Sequence, residues 1–259
     1  MAKKPEHCTI MPIAIMSAMS EENAALVEAM TISDTVETGQ RIYHRGTLWN
    51  QDVVVVFSHW GKVAAASTVT YLIANMKVSE VIFTGVAGAV DRGLKVGDVV
   101  IGSNLYQHDM DARPIIRRHE IPLLGQIALP SDEHRRQLLL TATQRFLATG
   151  ITLSLPRETI DEFSLHSPQA VVAGIASGDQ FISRKAAVQD LRERLPDVAC
   201  VEMEGAAVAQ VCLEFDIPFS VVRTISDSAD EAAGVDFPKF IQLVARKYSL
   251  GILENLFAS

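Results

Sequence analysis

Three observations predict an α/β protein: a single domain with a mixed, largely parallel central sheet and helices on both faces. Apolar β-branched runs alternate with helical patterns along the chain. The run 219–225 has no polar alternation, as expected of a strand covered on both sides. With 259 residues, 48% hydrophobic, the chain can also bury one large core.

The elements follow in order. Residues 9–19 form an apolar run, broken by Pro12, that leads into Ser20-Glu21-Glu22, a helix N-cap and acidic first turn. Lys3 and Lys4 ahead of it superficially suggest a signal peptide. The short run, Pro12 and the helix start favour a first strand, with 1–12 as an N-terminal extension and 13–259 as the domain. Residues 41–48 and 53–57 flank Trp49-Asn50-Gln51-Asp52 and read as a hairpin. Alanine-rich 62–75 is helical, with Val69, Leu72 and Ile73 on one face. Strand 81–83 ends in Gly85-Val86-Ala87-Gly88, and 96–105 is the next strand. Beyond it come a capped helix over 131–148, a strand over 170–175, helices over 183–195 and 204–215, strand 219–225 and a last helix over 237–257. Two long connections, 106–130 and 155–167, are rich in Pro, His and charge, as functional lids, interface segments or mobile loops are. In such a sheet, ligands sit at the carboxyl ends of the strands.

Composition excludes several partners. A net charge of −8 with no stripe of Lys and Arg argues against nucleic acid. No run approaches the ~20 apolar residues of a membrane span. Cys8, Cys200 and Cys212 are odd in number and lack CxxC spacing, which argues against a disulfide framework or zinc site and for a reducing, cytoplasmic setting. His108-Asp109-Met110-Asp111 offers one imidazole and two carboxylates but no second histidine, so it reads as a loop of hydrogen-bonding acids and not as a metal site. Extended alternation there points Asp109 and Asp111 one way and His108 the other.

Carboxylates carry the chemistry. Val201-Glu202-Met203-Glu204-Gly205 and Val222-Arg223-Thr224-Ile225-Ser226-Asp227 place two acids at a helix start and a third at the end of a buried strand. Ionised carboxylates are costly to bury, so acids among Val, Ile, Ala and Met are either bound or chemical. Singly, each has a bland reading: Glu22 favours a helix dipole, Glu204 begins a helix, and Asp227 caps a strand. Phe181, Met203 and Phe237 are ordinary core types. Arg223 in an apolar strand implies a buried ion pair with a carboxylate such as Glu22 or Glu204, which would also orient a catalytic base. The glycine loop has the wrong spacing for GxGxxG, leaving a tight turn or close approach to a ligand equally open.

Seven separated motifs then occur in one order: Ser17-Ala18-Met19-Ser20-Glu21-Glu22, His59-Trp60-Gly61-Lys62-Val63-Ala64-Ala65-Ala66, Thr84-Gly85-Val86-Ala87-Gly88, Leu94-Lys95-Val96-Gly97-Asp98, Ser177-Gly178-Asp179, Val201-Glu202-Met203-Glu204 and Arg223-Thr224-Ile225-Ser226-Asp227. Together they resemble the 5′-methylthioadenosine/S-adenosylhomocysteine nucleosidases of the purine nucleoside phosphorylase superfamily, over about residues 13–256.

The resemblance implies a cofactor-free hydrolase that cleaves an adenine nucleoside, working as a homodimer with residues near 106–114 at the interface. It implies Asp227 as the acid protonating adenine nitrogen 7, placed by Ser226, and Glu22 as the base that orients and deprotonates water. Glu204 would hold the ribose hydroxyls and stabilise a cationic sugar. Phe181 would stack on adenine, the Ile182 backbone would bond its edge, Met203 would pack on the ribose and Phe237 would line the sugar and 5′ side. Val86, Ala87 and Gly88 join the binding set. Two departures from the family pattern stand out: Val86 replaces a frequent serine, and His59-Trp60 replaces a glycine-isoleucine pair, so that bulky Trp60 would face the ribose or 5′ group and narrow the pocket. Glu202 reads as structural.

Two other classes share this fold: phosphate-dependent purine nucleoside phosphorylases and non-catalytic nucleoside-binding proteins. A phosphorylase must hold a phosphate dianion. Where bacterial phosphorylases resemble Arg-Val-Gly-Ser, this chain has Phe83-Thr84-Gly85-Val86, without guanidinium or hydroxyl, which favours water. The intact Glu22, Glu204 and Asp227 set argues against binding alone.

Overall fold

The computed structural model describes residues 11–122, 124–227 and 237–258. Cys8 and all but the last two residues of the expected N-terminal extension lie outside them.

The chain runs β1 (Ile13–Ser17), α1 (Ser20–Ala29), β2 (Thr31–Thr38), β3 (Arg41–Leu48), β4 (Gln51–Phe57), α2 (Lys62–Tyr71), β5 (Glu80–Thr84), β6 (Val86–Ala89), β7 (Val99–Gln107) and β8 (Leu129–Pro130). It continues through α3 (Glu133–Arg145), α4 (Ile151–Ser154), α5 (Arg157–Glu162), β9 (Ala170–Ser177), α6 (Lys185–Arg194), β10 (Val198–Glu202), α7 (Gly205–Glu214), β11 (Phe219–Asp227), α8 (Phe237–Phe240) and α9 (Arg246–Phe257). Single π-helical turns follow α2, α3 and α8, at Leu72–Met76, Phe146–Gly150 and Ile241–Ala245.

Residue parity explains why the sheet is covered on both faces. Val53 to Val56 of β4 are all fully buried, with Val54 and Val56 in one apolar cluster and Val53 and Val55 in another. The first cluster includes Ala65 and Val69 of α2 and Ala206 to Ala209 of α7, and the second includes Leu26 of α1 and Leu253 of α9. The run 219–225 lacks polar alternation for the same reason: Phe219, Val221 and Ile225 lie in the first cluster, while Val222 lies in another with Val244 and Tyr248.

Strand order is β2-β3-β4-β1-β5-β11-β6-β10-β9-β7-β8, and β11 also pairs with β7. That extra pairing closes β11, β6, β10, β9 and β7 into a ring, with β5, β1, β4, β3 and β2 as an open wing and β8 appended to β7. The sheet is mixed, as expected, but "largely parallel" overstates it: six strand pairings are parallel and five antiparallel among the described residues. The hairpin ladder β2–β3–β4 supplies two antiparallel pairs, because short turns reverse the chain.

Several elements depart from the sequence expectation, among them β8 inside the connection 106–130 and α4 beyond the helix expected over 131–148. Strand β2 is an edge strand, mostly exposed, so its sequence carries no buried stripe to reveal it. Strand β6 occupies the expected glycine loop, and β10 is a five-residue strand whose acid end had drawn attention instead. The connection 155–167 contains α5 and is packed: Ile160 and Leu165 are buried, and Phe163 meets Phe240 edge to face at 5.4 Å. It thus braces α8, whose first residue, Phe237, lines the cavity described below. The other long connection does not extend β7 through residues 108–111. His108 turns inward, Asp109 pairs with Lys62, and Asp111 pairs with Arg113.

Candidate active site

The carboxyl ends of the parallel strands β1, β9, β10 and β11 converge on one cavity of about 220 Å³. Each strand end delivers wall residues: Ala18 and Met19 after β1, Phe181 and Ile182 after β9, Met203 and Glu204 after β10, and Ser226 and Asp227 at the end of β11. Val86, Ala87 and Gly88 form another wall from β6, and Phe237 and Trp60 complete the mouth. Every expected binding residue therefore lines one space, as does the proposed acid Asp227.

Trp60 is 65% exposed, yet its indole N–H donates to the Ala18 carbonyl at 2.9 Å, which fixes the ring across the opening. Phe181, 58% exposed, also lines the cavity and offers an aromatic ring there. Gly88 stands in register with Asp227, and Ala87 with Ile225, so β6 presents its backbone directly beside the acid. The Ser226 hydroxyl donates to Asp227 Oδ2 at 2.8 Å and so orients that carboxyl group.

Glu22 is placed differently from the other two acids. It is fully buried on α1 and absent from the cavity wall, which its chain neighbours Ala18 and Met19 line. Ser249 of α9 donates to Oε1 at 2.5 Å, while Oε2 has no hydrogen-bond partner among the described residues. Burial pushes its pKa up to about 7, against the opposing pull of the Ser249 hydrogen bond and the Arg223 charge. Glu204 is likewise raised to about 7, first by burial and then by the neighbouring Glu202 carboxylate. Its Oε1 accepts the Gly61 amide at 2.7 Å.

Arg223 pairs with Glu202, correcting the expected partner from Glu22 or Glu204. Its Nε and one terminal nitrogen both reach Glu202 Oε2, at 3.2 and 2.7 Å, and the other terminal nitrogen donates to the carbonyls of Phe83 and Val222. The guanidinium also lies 4.2 Å from the centre of the Phe83 ring. Glu202 is saturated as well: it accepts from Ser177, from the Glu204 amide and, with both oxygens, from the Gly205 amide at the start of α7. Arg223 and Glu202 thus form a brace beneath the site. The brace also explains the glycine loop, since a Cβ on Gly85 would lie 3.2 Å from the guanidinium carbon. Gly85 leaves room for Arg223, and Gly88 gives the close approach to the cavity.

Sequence reasoning assigned no site role to Gln180, Val201 or Ser249. Ser249 is 227 positions from its partner, and a serine in an amphipathic helix carries no signal of such a contact.

Known proteins agree with this geometry. A sequence profile described as the phosphorylase superfamily matches residues 12–258. The chain belongs to the phosphorylase superfamily. Among its superfamily relatives, a 5′-methylthioadenosine/S-adenosylhomocysteine nucleosidase of Colwellia psychrerythraea is 34% identical over 247 residues, 95% of this chain and 96% of the relative. An aminodeoxyfutalosine nucleosidase of Helicobacter pylori is 32% identical, covering 89% and 91% of the two chains. The solved structure of the Colwellia nucleosidase in complex with adenine is similar to this superfamily member with a TM-score of 0.80 at 32% identity, over 96% of this chain and 95% of that one. A Neisseria meningitidis nucleosidase in complex with methylthio-immucillin-A matches with the same score at 31% identity, over 95% and 98%. Coverage at this level places the whole α/β domain, not a shared fragment, within the superfamily. Among the described residues, no helix is long and apolar enough to cross a membrane.

Proposed function

We propose that the chain hydrolyses the N-glycosidic bond of 5′-methylthioadenosine, S-adenosylhomocysteine or both, releasing adenine and the 5′-substituted ribose. The observation that carries this reading is the presence of Glu204 and Asp227 in the wall of one largely apolar cavity, with Glu22 fully buried on α1, three residues after the wall residue Met19.

Cleavage passes through an oxocarbenium-like sugar, so it needs a proton for the departing base, a counter-charge for the sugar and an activated water. Asp227, oriented by Ser226, protonates adenine nitrogen 7. Phe181 stacks on the base and Ile182 bonds its edge through the backbone. Glu204 accepts from the ribose hydroxyls, Met203 packs on the ring, and Phe237 and Trp60 bound the 5′ side. Glu22, with a pKa near neutrality, suits the base that takes the proton from water.

Water is favoured over phosphate as nucleophile. Among the described residues, none that lines the cavity is Lys or Arg, and Arg223 is fully engaged with Glu202 and backbone carbonyls. The sequence 228–236, between Asp227 and Phe237, contains no cation either. A phosphate dianion would find no guanidinium there. Incubation with methylthioadenosine, S-adenosylhomocysteine, adenosine and inosine, each with and without phosphate, is expected to give adenine and free 5′-substituted ribose at a phosphate-independent rate. A sugar 1-phosphate product would establish a phosphorylase instead, and absence of turnover would establish a binding protein.

The 5′ substituent of the relatives varies, since some are named for aminodeoxyfutalosine. Trp60 is the residue of this chain placed to choose among such groups. We further place residues 106–114 at the contact between two copies, where Ile115 next to them is 88% exposed. Light scattering is expected to return twice the 28.2 kDa chain mass, and a monomer would refute the dimer. Buried free thiols at Cys200 and Cys212 fit a cytoplasmic setting.

A further inference from the structure

Gly61 stands ahead of α2 at φ +90°, a state glycine enters freely and equally freely leaves. Its amide is the one that donates to Glu204 Oε1. The next amide, that of Lys62, donates to Asp179 Oδ1 at 2.8 Å. The Asp179 amide donates to Asp109 Oδ2 at 3.0 Å, and Lys62 Nζ closes the circuit on Asp109 Oδ1 at 2.7 Å while also reaching Gln107 Oε1 at 3.1 Å. These bonds tie three separate segments together: the start of α2, the turn after β7 and the turn after β9.

Lys62, Asp109 and Asp179 do not line the cavity. The Lys62–Asp109 pair is part-exposed, with side chains 18% and 22% accessible, and such pairs add little to stability. What the ring does fix is the direction of two successive amides. A Cβ on Gly61 would lie 3.1 Å from Asp179 Oδ1, so the glycine and the ring fit only together.

We propose that the Lys62–Asp109–Asp179 ring is a positioning device that aims the Gly61 amide at Glu204 and thereby holds this carboxylate in the orientation that receives the sugar hydroxyls. The proposal rests on the sugar-binding reading of Glu204. Without the ring, Gly61 relaxes toward negative φ, its amide leaves Glu204, and the carboxylate loses its fixed aim.

The test compares full-length Asp179→Ala, Asp179→Asn, Glu204→Ala and the Glu204→Ala/Asp179→Ala double variant. The readouts are kcat on methylthioadenosine and the Kd of a C-nucleoside analogue of it that cannot be hydrolysed. Loss of one orienting hydrogen bond predicts about fivefold weaker analogue binding for Asp179→Ala. Asp179→Asn, which keeps a carbonyl oxygen for the Lys62 amide, is expected to stay near wild type. In the Glu204→Ala background, Asp179→Ala is expected to add nothing, because coupling requires the shared partner. Unchanged binding in Asp179→Ala, or the same weakening with and without Glu204, overturns the proposal. If Glu204→Ala itself leaves binding unchanged, the sugar-binding reading falls and takes the proposal with it, and that failure is distinct from the first. Lys62→Met, which opens the ring from its other side, must reproduce the Asp179→Ala result.

Discussion

Asp227→Asn is expected to lower kcat for adenine release by about 10²–10⁴-fold, the usual worth of a positioned general acid. Its amide keeps an oxygen for the Ser226 hydroxyl, which now bonds Oδ2 at 2.8 Å, so the strand end and cavity wall should stay in place. Analogue binding is therefore expected to change little, and the loss should fall on kcat. The decisive control is a ribosyl substrate whose leaving group is p-nitrophenolate, which departs without protonation. On that substrate Asp227→Asn should lose far less activity than on methylthioadenosine. Unchanged adenine release, or equal losses on both substrates, would remove Asp227 from the acid role.

Glu22→Gln should separate turnover from stability. As the base for water, Glu22 is expected to carry a factor of about 10²–10⁴ in kcat. In the wild type, kcat should fall as pH is lowered through about 7, where this carboxylate takes up its proton. The same pKa bears on folding. Because the folded value, about 7, lies above the ordinary 4.5, the folded state holds a proton that the unfolded chain releases between those values. The stabilisation from that proton is complete below pH 4.5 and is lost as pH rises through about 7. At pH 8 the charged Glu22 therefore costs on the order of 3 kcal/mol, and Glu22→Gln relieves it. Thermal melts should show the variant several degrees above wild type at pH 8 and level with it near pH 5. A variant that melts lower at pH 8 would mean that the buried carboxylate is better satisfied than its single Ser249 bond implies.

Much of this site is legible in the chain because parallel strands export their carboxyl ends to one place. Reading 219–225 as a covered strand already puts Asp227 at its end, and the helix that follows Glu204 puts that acid beside it. Arg223 announces a buried ion pair by its apolar neighbours, but its partner is set by register: β11 and β10 both flank β6, and that places Glu202 within its reach. Such lateral register leaves no mark in spacing along the chain. Glu202 reads as structural in the sequence and is so in the fold, as the acid that Arg223 and the start of α7 share. Strand β2 went unseen because an exposed edge needs no apolar stripe, and α5 because six residues show too little periodicity. The Asp109 ring joins residues whose separations, 47 and 70 positions, obey no local rule.

Strand β11 belongs to both parts of the sheet. Its first residues pair with β5 in the open wing, and its last with β6 and β7 in the closed ring. During synthesis, β5, β6 and β7 all emerge more than a hundred residues before it. Until Phe219–Asp227 leaves the ribosome, the ring has a gap and three earlier strands keep unpaired edges, which are templates for pairing with other chains. The segment that carries the acid is also the closing stave, so a nascent chain seats Asp227 and covers these exposed edges in one event, late in translation.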